Sequence, residues 1–246
     1  VGKSILVTGG TGTLGSALVP RLRAADDTVA VLSRRPGDGR VVGDLRTRRG
    51  VADAVAGVEV IVHCATTGSG QDVTATRNLV ELARRVGRPH LVYISIVGID
   101  RIPLAYYRTK LEAERLVIGS GLPWTILRTT QFHDLIAKIT SVQRRSPVVA
   151  ALSGVRFQPI SVQDVAERLA ELAAAEHAGR VPDMGGPQVR GHEDLTRAYL
   201  RAADLRRAVV RLRPPGALFR ALRSGANLVP DRAVGRGTFE DFLSGA

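Results

Sequence analysis

Short apolar runs alternate with stretches of helical period through the first half of this chain. Ser4–Thr8 is an apolar run that ends in glycines, as a buried parallel strand does. Leu14, Ala17, Leu18 and Leu22 then recur at helical spacing within residues 14–25. Further strand-like runs occupy residues 28–32, 41–42, 58–63, 90–94 and 124–127, with helices expected at residues 73–86 and 106–118. Strands alternating with helices specify a parallel sheet with right-handed crossovers, an α/β fold of the Rossmann-type, doubly wound class. After about Arg128 the rhythm loosens and prolines punctuate the chain, with clear helices only at residues 162–175 and 193–203. The expected organisation is a dinucleotide-binding core over residues 1–130 and a small C-terminal substrate lobe over 131–246. The two form one integrated domain, the lobe returning late elements to the core.

Composition narrows the class. The chain has 246 residues, ample for a substantial core, and no run approaches the roughly 18 apolar residues of a membrane span. Its one cysteine, Cys64, excludes an internal disulfide framework and cannot build a Cys-rich metal site. No charged-then-apolar signal stretch precedes the first strand, so a cytoplasmic protein is the expectation. The formal net charge is +12. That balance suits nucleic acid, an anionic membrane surface or an acidic small molecule, yet aromatics are only 4% of the chain. We therefore expect a solvated arginine-rich surface, with no nucleic-acid or membrane partner and no metal. The densest stretch, residues 206–223, carries six arginines and no acid.

Gly9-Gly10-Thr11-Gly12-Thr13-Leu14-Gly15 lies between the first strand and the first helix. Glycines there allow a tight turn, close approach of a pyrophosphate and packing of helix on strand. The helix N-terminus offers free N–H groups to phosphates. An acid about 20 residues further on would select NAD(H) by bonding the ribose 2′-hydroxyl. Instead the second strand exits into Ser33-Arg34-Arg35, two guanidiniums suited to a 2′-phosphate. NADP(H) is thus expected in preference to NAD(H), against the alternative that Arg34 and Arg35 are ordinary surface arginines.

These residues, with Gly43-Asp44-Leu45, Ala65-Thr66-Thr67, Tyr93-Ile94-Ser95, Tyr106-Tyr107-Arg108-Thr109-Lys110, Ile126-Leu127-Arg128 and Phe157-Gln158-Pro159-Ile160, resemble the short-chain dehydrogenase/reductase superfamily. The likeness is to its atypical NmrA-like, NAD(P)-binding branch and runs over nearly the whole chain. It implies that Asp44 and Leu45 border the adenine and that Ala65 and Thr66 line the ribose and pyrophosphate path. Asp44 equally suits a turn or an N-cap. Tyr106 and Lys110, four residues apart, share a helix face. A nearby ammonium lowers a phenol's pKa and lets it exchange a proton with a substrate oxygen, while Ser95 at a strand end holds that oxygen. In the superfamily such a set carries carbonyl reduction, although the atypical branch often works without the tyrosine and the adjacent Tyr107 could face the pocket instead. Thr129 to His133 would lie beside the nicotinamide, with Phe132 stacking on an aromatic substrate and His133 shuttling a proton. His63 and Cys64 read as packing.

Three functions follow from this. The first is an NADPH-dependent reductase of a small hydrophobic or aromatic carbonyl, quinone or enone, working as a monomer or homodimer. The second is a non-catalytic NADP(H) sensor, and the third a nucleotide-sugar epimerase or dehydratase.

Overall fold

A computed structural model describes residues 2–68 and 70–245. In chain order the elements begin β1 (Ser4–Thr8), α1 (Thr13–Ala24), β2 (Thr28–Ser33), β3 (Arg40–Val42), α2 (Val51–Val55), β4 (Val60–His63) and α3 (Gln71–Ala83). They continue with β5 (His90–Ile96), α4 (Ala105–Ile118), β6 (Trp124–Thr129), α5 (His133–Ser141), β7 (Val148–Leu152), β8 (Arg156–Phe157) and α6 (Val162–Ala174). The last are β9 (Gly179–Arg180), β10 (Arg190–Gly191), α7 (His192–Ala202), β11 (Ala208–Leu212), α8 (Ala217–Arg223), a 3-10 turn at Pro230–Arg232 and α9 (Phe239–Ser244). Among the described residues no helix is long and apolar enough to cross a membrane.

The chain divides into two compact units. The first comprises the chain up to Ser95, Ala105–Arg128 and Val165–Pro182. Its seven-stranded parallel sheet runs β3-β2-β1-β4-β5-β6-β9. The order reverses between β1 and β4, which pair in parallel from Ile5 with Val60 to Thr8 with His63. Ligands of open α/β sheets bind beyond the strand C-termini at such a switch point. One face of the sheet buries Leu6, Ile61, Leu91 and Ile126 against Val51 and Val55 of α2, Leu79 of α3 and Val117 of α4. Apolar residues on both faces explain why these strands read as continuous apolar runs rather than alternating ones. Lys3 donates from Nζ to Ala173 O (3.1 Å) and Ala174 O (2.6 Å), satisfying carbonyls at the end of α6.

The second unit comprises Ile96–Leu104, Thr129–Asp164 and the chain from Asp183. Ile136, Val155, Phe157, Leu195, Ala198 and Phe239 form its buried cluster. β7 and β11 make a two-stranded parallel ribbon in register from Ala208 with Val148 to Leu212 with Leu152. The arginine-rich stretch 206–223 is therefore structured, as β11 and α8. Arg211 reaches Glu193 of α7 at 2.6 Å and Arg223 donates to Pro214 O at 3.1 Å. Thus α5, β7, β11, α8 and α9 are ordered elements in a region where sequence periodicity picks out only two helices.

Candidate active site

The glycine turn is shaped by contacts that only glycine permits. Gly9 has φ +72°, and a Cβ there would stand 2.6 Å from Ala65 N. At Gly15 a Cβ would meet Gly9 O at 2.2 Å and Gly10 Cα at 2.4 Å. The turn closes through Gly12 N–H to Gly9 O at 3.0 Å. Thr11, Gly12 and Thr13 lie exposed at the head of α1, which has no acidic residue in its first turn and no side-chain cap. A free helix N-terminus, a positive dipole end and a backbone stripped of Cβ atoms fit a dinucleotide pyrophosphate. Leu14 and Gly15 are buried beneath it. At the end of β2, Ser33 Oγ accepts from Arg35 N–H at 3.1 Å, and the side chains of Arg34 and Arg35 are exposed.

Asp44 forms an Asx-turn, accepting from Arg46 N–H at 2.9 Å, and pairs with the Arg46 guanidinium at 3.3 Å. Burial pushes its carboxyl up, but the hydrogen bonds and charge of Arg46 hold it below the ordinary aspartate value. Of the two structural roles open to it, the turn is the one seen, since Gly50 occupies the N-cap of α2. Leu45 is in the core. Its carbonyl accepts from Asn78 Nδ2 at 2.7 Å, so α3 ties down this loop.

Beyond β4, His63 and Cys64 pack inward. Thr76 Oγ1 donates to Asp72 O at 2.8 Å, so His63 Nε2 is the donor to Thr76 Oγ1 at 3.0 Å. His63 Nδ1 then accepts from Thr8 Oγ1 at 2.6 Å. Burial pushes this imidazole down to about 3 and the Cys64 thiol up to about 12, leaving both neutral. After Ala65 comes a chain of hydroxyls. Tyr106 Oη lies 3.1 Å from Thr66 Oγ1, which donates to Asp72 Oδ2 at 2.6 Å.

Lys110 is 4% exposed. Its Nζ donates to Ile94 O at 2.9 Å and stands 4.2 Å over the Tyr93 ring, a cation–π contact. Desolvation pushes its pKa down to about 8, against the pull of Asp72, Cys64 and Glu114. The Tyr106 phenol moves the opposite way from the sequence expectation. Burial raises it most, its hydrogen bond with Thr66 works the other way, and the charge of Asp72 raises it, so it ends above the ordinary phenol value. The ammonium is turned toward Tyr93 and the β5 backbone, so it does not offset the two upward effects. Ser95 also departs from its expected role. It is 1% exposed and its Oγ donates to Glu114 Oε2 at 2.6 Å. Glu114 in turn takes Arg128 Nε at 3.0 Å and Nη2 at 2.6 Å. The hydroxyl assigned to a substrate oxygen is thus bound to a buried carboxylate. Tyr107 is buried and Tyr106 half-buried, their rings edge to face at 6.2 Å. Of the two, Tyr106 has the hydroxyl contact with the Thr66 loop.

Thr129, Phe132 and His133 belong to the second unit. Thr129 is buried and bridges to Met184; Phe132 is half-buried at the N-cap position of α5. His133 is 2% exposed, stacked on Phe242 with centroids 5.5 Å apart and bonded through Nε2 to Gly237 O at 3.2 Å. Burial lowers its pKa and keeps it neutral, so it clamps α9 within this unit rather than standing open as a shuttle. Asp72 and Glu114 are the residues of this cluster that pattern reading misses, and Arg128 entered it only as part of the family likeness. An acid in the first turn of α3 and one four residues after Lys110 were the available signals.

The NAD(P)H-binding family profile matches residues 9–176. Quinone oxidoreductase 2 of Escherichia coli is 24% identical over 74% of this chain and 68% of its own. The (4-alkanoyl-5-oxo-2,5-dihydrofuran-3-yl)methyl phosphate reductase of Streptomyces griseus is 29% identical over 75% and 68%. The fold superposes on the crystal structure of an Escherichia coli NADPH-dependent quinone oxidoreductase complexed with NADPH. The TM-score there is 0.85, with 18% identity over 98% of this chain and 99% of that one.

Proposed function

Because the chain belongs to the NAD(P)H-binding family, we propose that it is an NADPH-dependent reductase of a small hydrophobic or aromatic carbonyl, quinone or enone. The observation that carries this reading is the buried Lys110, one helical turn from a half-buried phenol and bonded to the Ile94 carbonyl of β5. Relatives named as quinone and dihydrofuran reductases support the reaction class. The arginines after β2 support the 2′-phosphorylated cofactor.

The free N–H groups at the head of α1 would hold the pyrophosphate, and Arg34 with Arg35 the 2′-phosphate. Lys110 would bond the nicotinamide ribose as a cation below about pH 8. Reduced nicotinamide supplies the hydride when bound. Tyr106 gives its proton to the oxygen of the substrate, while the deep position of Lys110 keeps water from its ammonium. Adding NADPH with a panel of quinones and aromatic ketones, and following loss of reduced-nicotinamide absorbance, tests this. We expect turnover of at least one panel member, and its loss in Lys110→Ala.

One observation favours a second reading, the non-catalytic NADP(H) sensor. The Ser95 hydroxyl is bonded internally rather than left for a substrate. Tight NADPH binding with no turnover across the panel would select the sensor.

A further inference from the structure

Asp72 sits in the first turn of α3 and is 4% exposed, yet its carboxylate is met by hydroxyls and a backbone N–H. Oδ1 accepts from Thr67 N–H at 2.6 Å and from Thr67 Oγ1 at 2.7 Å. Oδ2 accepts from Thr66 Oγ1 at 2.6 Å. The neighbouring helix N-terminus favours the negative charge. These bonds fix proton directions along the chain. An ionised carboxylate only accepts, so the single hydroxyl proton of Thr66 lies on Asp72. At the 3.1 Å contact the phenol of Tyr106 must then be the donor. Gly68 N–H gives Thr66 Oγ1 a further bond at 3.3 Å, which fixes the hydroxyl from a third side.

We propose that Asp72, acting through Thr66, is the positioning residue for Tyr106, orienting the phenol and fixing where its proton rests. The inference deepens the reductase reading and rests on it for Tyr106 being the proton donor. When the phenol gives its proton to the substrate oxygen, the phenolic O–H bond breaks and its electron pair stays on the tyrosine oxygen. The Thr66 hydroxyl then turns its own proton from Asp72 to that oxygen, and water resupplies the phenol. Without Asp72, Thr66 has no reason to keep its acceptor face toward Tyr106.

Electrostatics agree with the geometry. The titratable groups around the phenol are Asp72 on α3, His63 and Cys64 at the end of β4, Tyr93 on β5, and Lys110 and Glu114 on α4. His63 and Cys64 are neutral, and burial holds the Tyr93 phenol in its protonated form. The charges left are Asp72, Lys110 and the Glu114–Arg128 ion pair, and of these Asp72 is the one that acts on the phenol. Burial and the Asp72 charge outweigh the downward effect of the Thr66 hydrogen bond and hold Tyr106 above the ordinary phenol value.

The test is a phenolate absorbance titration of the whole chain, with the signal of Tyr106 isolated by subtracting the matching Tyr106→Phe variant. Asp72→Asn keeps the shape and an acceptor for Thr67 N–H but removes the charge. It should raise the acidity constant of Tyr106 by roughly tenfold, one pKa unit. In a Thr66→Val background the same substitution should have at most about half that effect, and Thr66→Ser should restore it. Asp72→Ser serves as a second neutral variant if Asp72→Asn does not fold. An unchanged Tyr106 titration, or the same shift with and without the Thr66 hydroxyl, overturns the proposal. The titration needs no turnover. Failure of the reductase panel beside a Thr66-dependent shift would thus sink the function and leave the positioning role standing.

Discussion

Glu114→Gln should be the most damaging conservative change in the first unit. The Glu114 and Arg128 side chains are 3% and 6% exposed and are joined by hydrogen bonds at 3.0 and 2.6 Å. The glutamate also takes the Ser95 hydroxyl. Glutamine keeps the volume but replaces one acceptor oxygen with an NH2 group and removes the negative charge that faces the guanidinium. Removing one partner of a buried pair costs about 3–5 kcal/mol, because the other charge stays desolvated. At roughly 2–4 °C per kcal/mol for a chain of this size, the melting midpoint should fall by about 6–20 °C. Thermal and urea unfolding at neutral pH measure it, with the exposed pair Arg168–Glu171 as control, whose loss should cost under about 1 kcal/mol. Replacing both partners, Glu114→Leu with Arg128→Met, should be milder than the single change, since no lone charge remains. A Glu114→Gln loss no larger than the Arg168 control, or a double variant worse than the single, refutes the reasoning.

Arg34→Ala should weaken NADPH about 10- to 100-fold, the worth of one or two charge-assisted bonds, with little effect on NADH; equal weakening in fluorescence titrations contradicts the 2′-phosphate assignment. Gly15→Val should abolish dinucleotide binding, since even a Cβ there meets Gly9 O at 2.2 Å, and calorimetry with NADPH checks it. Lys110 titrates near 8 in the folded protein against 10.5 in its ordinary state. Its depressed value means that stability is highest above pH 10.5 and declines as pH falls toward about 8, then levels. Cofactor affinity runs the other way, dropping above about pH 8 as the ammonium is lost. Lys110→Met should bind weakly and without that pH dependence, and a flat wild-type profile across pH 8 counts against the assignment.

The central strands β1, β4, β5 and β6 were legible because they are buried on both faces, which turns each into an apolar run, whereas the two-residue edge strand β9 gave no such signal. The turn from Gly9 to Gly15 was legible for a related reason: a Cβ at Gly9 or Gly15 would collide with backbone, so composition there follows geometry. The second unit hid its elements. β7 and β11 are five residues each and mate across 60 positions of sequence, from Val148 to Ala208, so no local period announces them. His133 reads as a proton shuttle beside the nicotinamide until Phe239 and Phe242 arrive more than a hundred residues later to stack on it.

The sign of the Tyr106 shift shows most clearly where pattern stops and packing begins. Four-residue spacing puts Tyr106 and Lys110 on one helix face, and that inference is geometric. It does not say where a flexible lysine aims its charge. The β5 carbonyl of Ile94 and the ring of Tyr93 draw the ammonium inward, and both lie on a strand rather than on the helix. The nearest hydrogen-bonded route from the phenol leads instead to a carboxylate, through Thr66. A buried phenol near an anion is a weaker acid than one facing a cation, whatever the residue spacing along the helix. A reductase built this way keeps Tyr106 protonated over the whole range in which Lys110 is charged. The basic limb of its activity should therefore report the lysine near pH 8, not the tyrosine.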